Sequence, residues 1–175
     1  MIDRERSAIA VVLLMGVAAS GKTTIGALLA GLLGWPFADA DTFHPPANVQ
    51  KMASGTPLTD ADRWPWLRAI AQWIDEHRVP GAHGVVTCSA LRRRYRDMLI
   101  GNRDDVALVY LKGAQSVIAQ RMVTRHGHFM PTALLQSQFD TLEEPHADER
   151  ALIVSVDAAP TEIADEIATA LRLRG

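Results

Sequence analysis

The 175-residue sequence contains one cysteine, Cys88, and has no hydrophobic run long enough to cross a membrane. One cysteine cannot form an intramolecular disulfide, which is typical of proteins from a reducing compartment, so we expect a cytoplasmic protein. A membrane-spanning helix needs about 18 or more apolar residues, and the apolar run at residues 8–19 is shorter. We therefore expect neither a disulfide-rich protein nor a membrane protein.

The chain also lacks an excess of charge of either sign. Its 18 Lys and Arg residues against 20 Asp and Glu residues give a formal net charge of −2. A nucleic-acid-binding surface usually brings a strong basic excess, so we expect no nucleic-acid partner. With 48% hydrophobic residues, a chain of this length can bury the core of one domain, residues 1–175.

Residues 16–26 (GVAASGKTTIG) match the pattern G-x-x-x-x-G-K-[ST] at Gly16, Gly21, Lys22 and Thr23. The apolar run before them could also be a secretory signal, but the charged residues that precede it sum to zero instead of a positive charge. The apolar run before the loop is typical of a buried strand, and the leucines after the loop recur at helical spacing. This order of strand, loop and helix favours a phosphate-binding loop.

In such a loop the lysine reaches the β- and γ-phosphates of a nucleotide, and the threonine hydroxyl binds Mg²⁺. The nucleotide-binding residues predicted by the pattern are Gly16, Val17, Ala18, Ala19, Ser20, Gly21, Lys22, Thr23 and Thr24.

Short apolar runs alternate with helical patterns along the rest of the chain, which predicts an α/β fold with a parallel sheet. Ligands of such folds bind at the carboxyl ends of the strands. The predicted strands are residues 9–15, 35–39, 84–89, 106–111 and 152–157. The predicted helices after the first are residues 47–53, 60–77, 92–101, 115–125, 131–142 and 160–171.

Asp39 and Asp41 follow the second predicted strand. Carboxylates two residues apart in an extended segment point the same way, so one could hold water on Mg²⁺ while the other accepts a hydroxyl proton. Aspartates are also common in turns, and both interpretations stay open on spacing alone.

Two further segments carry clustered basic residues. Residues 88–97 (CSALRRRYRD) place a candidate helix cap, Ser89, before four arginines, which indicates either an anionic partner or a solvated basic face. Cys88 itself fits a buried core position. Residues 121–131 (RMVTRHGHFMP) combine charges with Gly127 and Pro131, which indicates a mobile lid over phosphates.

The segments GVAASGKTT, DADTFHPPANVQKMASGTPLTDADRWPWL, TCSALRRRYRD, YLKG and HFMPTALLQSQFDTLEEP closely resemble the bacterial-type P-loop gluconokinases, which are relatives of shikimate kinase and adenylate kinase. The match runs from about residue 9 to residue 157. The resemblance implies transfer of the ATP γ-phosphoryl group to the 6-hydroxyl of D-gluconate. It also implies a P-loop-type parallel sheet of five strands in the order 2-3-1-4-5, flanking helices, a small lid around residues 124–133 and a homodimer.

Carried onto matching positions, the resemblance assigns catalytic roles to Lys22, Asp41, Arg121 and Arg125, with Asp41 as general base. Mg²⁺ would be held by Thr23 and, through water, by Asp39. The candidate ligands of the acceptor, besides Asp41, are His44, Lys51, Arg63, Ser89, Arg92, Arg96 and His128.

Two rival functions are weaker. Shikimate kinases carry a glycine triplet after the third strand, where this chain has CSAL, and the N-K-x-D and D-x-x-G segments of a regulatory GTPase are absent. The chain departs from the gluconokinase pattern at Ala18 and Ala19, at Ala40, and at Arg92, where a lysine is frequent. The change to arginine keeps the charge and alters the hydrogen-bond geometry.

Overall fold

The computed structural model describes residues 8–126 and 132–173. In these residues five strands alternate with seven α-helices. The strands are β1 (Val11–Met15), β2 (Phe37–Asp39), β3 (Gly84–Thr87), β4 (Val106–Lys112) and β5 (Leu152–Ser155). The helices are α1 (Lys22–Leu33), α2 (Pro46–Ala53), α3 (Asp60–Glu76), α4 (Arg93–Leu99), α5 (Gln115–His126), α6 (Thr132–Thr141) and α7 (Pro160–Ala170).

The strands form one sheet in the order β2-β3-β1-β4-β5, and every neighbouring pair is parallel. This confirms the predicted strand order. In this register Leu14 of β1 and Asp39 of β2 both pair with Thr87 of β3. The loops that follow these three strands therefore leave the sheet at the same edge, where parallel α/β folds bind ligands.

The central strand β1 is fully buried on both faces, which explains its unbroken apolar sequence. Alternate side chains enter different clusters because successive residues of a strand point to opposite faces. Leu13 and Met15 pack in a cluster with Trp66 and Ile70 of α3. The opposite cluster contains Val12 and Leu14 of β1, Ile25 and Leu29 of α1, and Ile163 and Ile167 of α7.

Local capping chemistry accounts for the start of α3 and the end of α1. Thr59 caps α3 in a reciprocal box with Asp62, and α1 ends at Gly34 in a left-handed conformation. The prediction that Ser89 caps α4 is wrong, because the helix is capped by Arg92, whose side chain makes no capping bond. After β3 the chain makes a further bend, with Ala90 at a φ of 44°.

A third, smaller cluster lies beside the phosphate loop. Val17 and Leu91 pack against α5 and α6 through Ile118, Met122 and Leu135. The helices on either side of residues 127–131 therefore rest on the loop between β1 and α1. Across residues 8–126 and 132–173, no helix combines the length and the apolar character that crossing a bilayer requires.

Candidate active site

The loop between β1 and α1 is shaped by two glycines. Gly16 has a φ of 154°, and a Cβ there would lie 2.7 Å from Ser20 Oγ and 3.0 Å from the Leu111 carbonyl oxygen. Gly21 caps α1 with a φ of 96°, a conformation that favours glycine. A side chain would clash with neighbouring atoms at Gly16 and would strain the backbone at Gly21, and without side chains at these positions the loop backbone can approach a phosphate closely.

Lys22 folds back over this loop. Its ammonium donates a hydrogen bond to the Val17 carbonyl oxygen at 2.9 Å. Burial lowers the pKa of Lys22, while Cys88, Asp41 and Asp39 act in the opposite direction. The two aspartates therefore lie within electrostatic reach of the phosphate-loop lysine, and the structure brings together residues that the sequence analysis assigned to one site.

Asp39 connects the phosphate loop with the segment after β2. Its Oδ2 accepts a hydrogen bond from the Thr23 hydroxyl at 2.6 Å, and its Oδ1 accepts one from the Asp41 backbone N–H at 3.0 Å. The backbone bond belongs to a short 3₁₀ turn, Ala40–Phe43, for which Asp39 is the cap. The turn interpretation and the functional one are thus compatible, because the turn holds Asp41 beside the loop with its carboxylate exposed.

The arginine cluster at the start of α4 divides by its partners. Arg93 binds Asp148 and Arg94 binds Asp60. Arg92 is different: within the described part of the chain its Nε is buried without a hydrogen-bond partner. We therefore treat Arg92 as the candidate of this cluster for an anionic ligand.

Arg96 was a predicted acceptor ligand, but the structure gives it a structural partner. Only 1% of its side chain is exposed, and its guanidinium binds both carboxylate oxygens of Glu149, at 2.5 and 2.9 Å. A further bond reaches the carbonyl oxygen of Ala90. Burial would raise the pKa of Glu149, but the bonds from Arg96 and from the His146 backbone N–H lower it overall. We therefore leave Arg96 out of the acceptor site.

Replacing Arg96 with methionine is expected to lower the free energy of unfolding by about 3 kcal/mol, because the Glu149 carboxylate would stay buried without its partner. Denaturant unfolding measures this loss. The double variant Arg96→Met, Glu149→Leu should recover part of it. A single variant as stable as the parent would contradict the structural role.

Three other predicted acceptor residues lie on the segments after β2 and at the start of α3. His44 stacks on Trp66, with 4.4 Å between the ring centroids. Arg63 is held loosely, at 3.4 Å from the Tyr95 hydroxyl and 3.6 Å from Asp60. Lys51 makes a 2.8 Å ion pair with Asp62, whose pKa falls to about 2 mainly through that bond. His44 and Arg63 are thus more available to a ligand than Lys51.

The remaining predictions concern β3, α5 and the lid. The Ser89 carbonyl oxygen accepts a hydrogen bond from the Gly16 backbone N–H at 3.4 Å, so Ser89 adjoins the phosphate loop. Arg121 donates to the Val156 carbonyl oxygen, beyond the end of β5. The Arg125 side chain, His128 and the central residues 127–131 of the predicted lid lie outside the described part of the chain.

Two contacts beside the site had no signal in the sequence. Gln138 of α6 accepts a hydrogen bond from the Ala18 backbone N–H of the phosphate loop at 3.0 Å. The Glu143 carboxylate accepts one from the Arg93 backbone N–H at 2.7 Å. Each pair is at least 50 residues apart along the chain, so no local pattern predicts it.

Comparisons with known proteins agree with this geometry. The family model described as Shikimate kinase matches residues 18–172. The gluconokinase of Gluconobacter oxydans (strain 621H) is 46% identical over 153 residues, covering 87% of this chain and 86% of the relative. A crystal structure of a gluconokinase from Sinorhizobium meliloti 1021 superposes with a TM-score of 0.84 at 43% identity, covering 97% of this chain and 94% of the other. A shikimate kinase structure from Aquifex aeolicus, at 18% identity and a TM-score of 0.62 over 93% and 96% of the two chains, shares the fold.

Proposed function

The chain belongs to the gluconokinase family, within the wider shikimate kinase group, and from this membership we propose that it transfers the γ-phosphoryl group of ATP to the 6-hydroxyl of D-gluconate. The observation that carries the proposal is the contact of Asp39 with both Thr23 and Asp41. This contact joins a phosphate loop to an exposed carboxylate at one edge of the sheet, which is what a kinase needs between its two substrates.

The phosphates of ATP would lie against the loop, held by backbone N–H groups at the start of α1 and by the Lys22 ammonium. Among the described residues, the bond that Lys22 would give up on turning toward a phosphate is the one to the Val17 carbonyl oxygen. Phosphate charge would also favour the protonated form of this lysine, whose pKa burial lowers. The side chain would thus exchange a bond to a neutral carbonyl oxygen for one to a charged phosphate oxygen.

The oxygens of Thr23 and Asp39 suit Mg²⁺, which prefers hydroxyl, carboxylate and water oxygens. They lie 2.6 Å apart, so both can contact one cation or its water shell. When bound, Mg²⁺ neutralises charge on the phosphate oxygens. Asp39 then keeps its second oxygen on the Asp41 backbone N–H, which fixes the segment that carries the base.

Asp41 is proposed as the general base that accepts the proton of the acceptor 6-hydroxyl. Its carboxylate is exposed, so an acceptor can reach it, and the capping bond from Asp39 fixes its backbone. A base contributes when it lies within hydrogen-bond reach of the reacting hydroxyl. The negative charge also orients the hydroxyl toward the phosphate loop next to it.

Gluconate brings a carboxylate and a chain of hydroxyls, and the proposed site offers a matching set. A guanidinium fork suits a planar carboxylate, and we assign that role to Arg92, whose Nε is buried without a partner within the described residues. Arg63, His44 and Ser89 remain candidates for the hydroxyls. Lys51 is a weaker one, because Asp62 occupies its ammonium.

His44 is expected to stay neutral at pH 7. Burial lowers its pKa below the usual 6.5, Asp41 opposes this, and Arg63 adds to it. The Asn48 amide nitrogen lies 3.4 Å from His44 Nδ1, so Nδ1 accepts and Nε2 carries the proton available to a hydroxyl. Protonation at lower pH places a proton on Nδ1 and ends its contact with the Asn48 amide, while Nε2 continues to donate. Any effect of this protonation on gluconate affinity is therefore expected only below the depressed pKa.

An NMR titration of the imidazole measures this directly, with the His44→Gln variant used to assign the resonance. A midpoint below 6.5 is expected. A midpoint above 6.5 would mean that a carboxylate, and not burial, dominates the surroundings of His44.

We further propose that the enzyme is cytoplasmic, since its one cysteine is free and buried, and that it is a homodimer, as the family resemblance implies. Light scattering after gel filtration measures the mass in solution. A single species near the 19.1 kDa of one chain would overturn the dimer.

A coupled assay of ADP release with ATP and Mg²⁺ tests the reaction itself, comparing D-gluconate, shikimate and no acceptor. Turnover with gluconate alone is expected. Turnover with shikimate alone would indicate a shikimate kinase, as the matching family model is described, and would contradict the activity suggested by the gluconokinase relative. Activity with neither would remove the acceptor assignment and leave the phosphate loop untouched.

A further inference from the structure

The end of α6 contacts both halves of the proposed site. On the nucleotide side, Gln138 Oε1 accepts a hydrogen bond from the Ala18 backbone N–H at 3.0 Å. On the acceptor side, Glu143 makes two bonds to the segment that leads into α4. Its backbone N–H donates to the Leu91 carbonyl oxygen at 2.8 Å, and its carboxylate accepts from the Arg93 backbone N–H at 2.7 Å.

The Gln138 bond fixes a loop that apolar contacts alone would leave free to slide. Val17 packs in the small cluster with Leu135 of α6, and Ala19 and Phe139 pack at its margin. Apolar packing is not directional, whereas a hydrogen bond specifies which loop residue meets which helix residue. Gln138 therefore sets the register between α6 and the phosphate loop.

The Glu143 bond replaces a cap that the chain does not supply locally. Arg92 occupies the capping position of α4, and its side chain makes no capping bond. A carboxylate at the first N–H groups of a helix satisfies an orphan donor and lies at the positive end of the helix dipole. Because Arg92 immediately precedes the residue that Glu143 binds, Glu143 also fixes the backbone that aims the Arg92 side chain.

We propose that residues 138–143 act as a brace between the two substrate half-sites, with Gln138 positioning the phosphate loop and Glu143 positioning Arg92. Both are positioning residues, because they contact protein atoms and reach the substrates only through other groups. The acceptor half of this inference rests on the proposed function. A brace of this kind sets the distance between donor and acceptor, to which phosphoryl transfer is sensitive.

Steady-state kinetics should distinguish the role of Gln138 from that of Glu143. Gln138→Leu removes the acceptor of the Ala18 N–H and is expected to raise KM for ATP about tenfold, with KM for gluconate changed less than twofold. Glu143→Ala is expected to do the reverse. A tenfold rise in KM is about the effect expected from the loss of one hydrogen bond, either a neutral bond or a weak bond to a charged group.

Matched controls lie beside each residue. Gln136 is on the same helix, where it bonds to Gln115 and Asp140. Glu144 follows Glu143 and binds Lys112 and Tyr110. Gln136→Leu and Glu144→Ala should leave both KM values within twofold of the parent. The conservative variant Glu143→Gln keeps an oxygen for the Arg93 N–H and should restore most of the gluconate affinity.

Calorimetric titration with ADP and Mg²⁺ tests the nucleotide half without any acceptor. Weaker ADP binding by Gln138→Leu would support the brace even if gluconate were not the substrate. Tighter binding would mean that Gln138 competes with phosphate for the Ala18 N–H, and would overturn it. Equal rises in both KM values for both variants, or lower thermal midpoints with unchanged KM values, would show a purely structural contact and also overturn it.

Discussion

Replacing Asp41 with asparagine is expected to lower kcat about a thousandfold, with KM for gluconate changed only a few-fold. Asparagine keeps the shape of the side chain and can still contact a hydroxyl, but it cannot accept the proton. General-base catalysis typically contributes a factor of about 10² to 10⁴, and the change leaves the backbone bond from Asp41 to Asp39 intact. Steady-state kinetics with gluconate as the varied substrate separates the two parameters.

Asp104→Asn is the matched control for this variant. Asp104 is also an exposed aspartate, but it lies in the turn before β4, at the opposite edge of the sheet from the site. Its replacement should leave kcat unchanged. A loss in Asp41→Asn that appears in KM and not in kcat would reassign Asp41 from proton acceptor to ligand.

The sequence was sufficient to predict those structural features that neighbouring residues determine. The continuous apolar, β-branched run IAVVLLM favoured a strand buried on both faces, and β1 is one. The glycines of the phosphate loop are required by backbone conformation and by close approach, which depend on neighbouring residues. Thr59 and Asp62 cap α3 within one turn. Each of these features is determined within a few residues of chain, so pattern and propensity predict it.

The arginines show where such prediction stops. Four of them cluster at the start of α4, and their composition alone cannot distinguish a ligand site from a set of ion pairs. The partners of Arg93 and Arg96 are Asp148 and Glu149, more than 50 residues away in sequence. The tertiary fold decides which guanidinium is satisfied, and it leaves the buried Nε of Arg92 without a partner in the part of the chain described here.

The failed Ser89 cap has the same origin. A serine before a helical pattern is a good local candidate, yet the chain bends through Ala90 and begins α4 three residues later than Ser89 would require. The bend is held by Arg96, which donates to the Ala90 carbonyl oxygen, and the Arg93 N–H at the start of the helix donates instead to the Glu143 carboxylate. A distant carboxylate thus takes over a role that sequence rules assign to a neighbour.

Replacing Lys22 with methionine is expected to lower kcat/KM for ATP about a thousandfold while leaving the free energy of unfolding unchanged or slightly raised. Activity and stability are expected to respond differently because the Lys22 ammonium aids catalysis by binding phosphate, whereas a buried charge does not stabilise the fold. Removing one hydrogen-bond donor to the charge that develops in a transition state lowers the rate by a factor of about 10² to 10³. We expect the loss of a fully charged donor such as the Lys22 ammonium to fall at the upper end of this range.

The same ammonium contributes little to the fold. Its bond within the described residues goes to the Val17 carbonyl oxygen, and burial lowers its pKa, so the folded protein disfavours the charge. Lys112→Met is the matched control, because Lys112 is half exposed and its ammonium pairs with Glu144 and not with a group of the phosphate loop. Turnover, ADP titration and denaturant unfolding on both variants distinguish the possibilities. Near-normal turnover by Lys22→Met would refute the phosphate-loop assignment, whereas lost turnover with an intact unfolding transition would place the defect in phosphate binding and transfer.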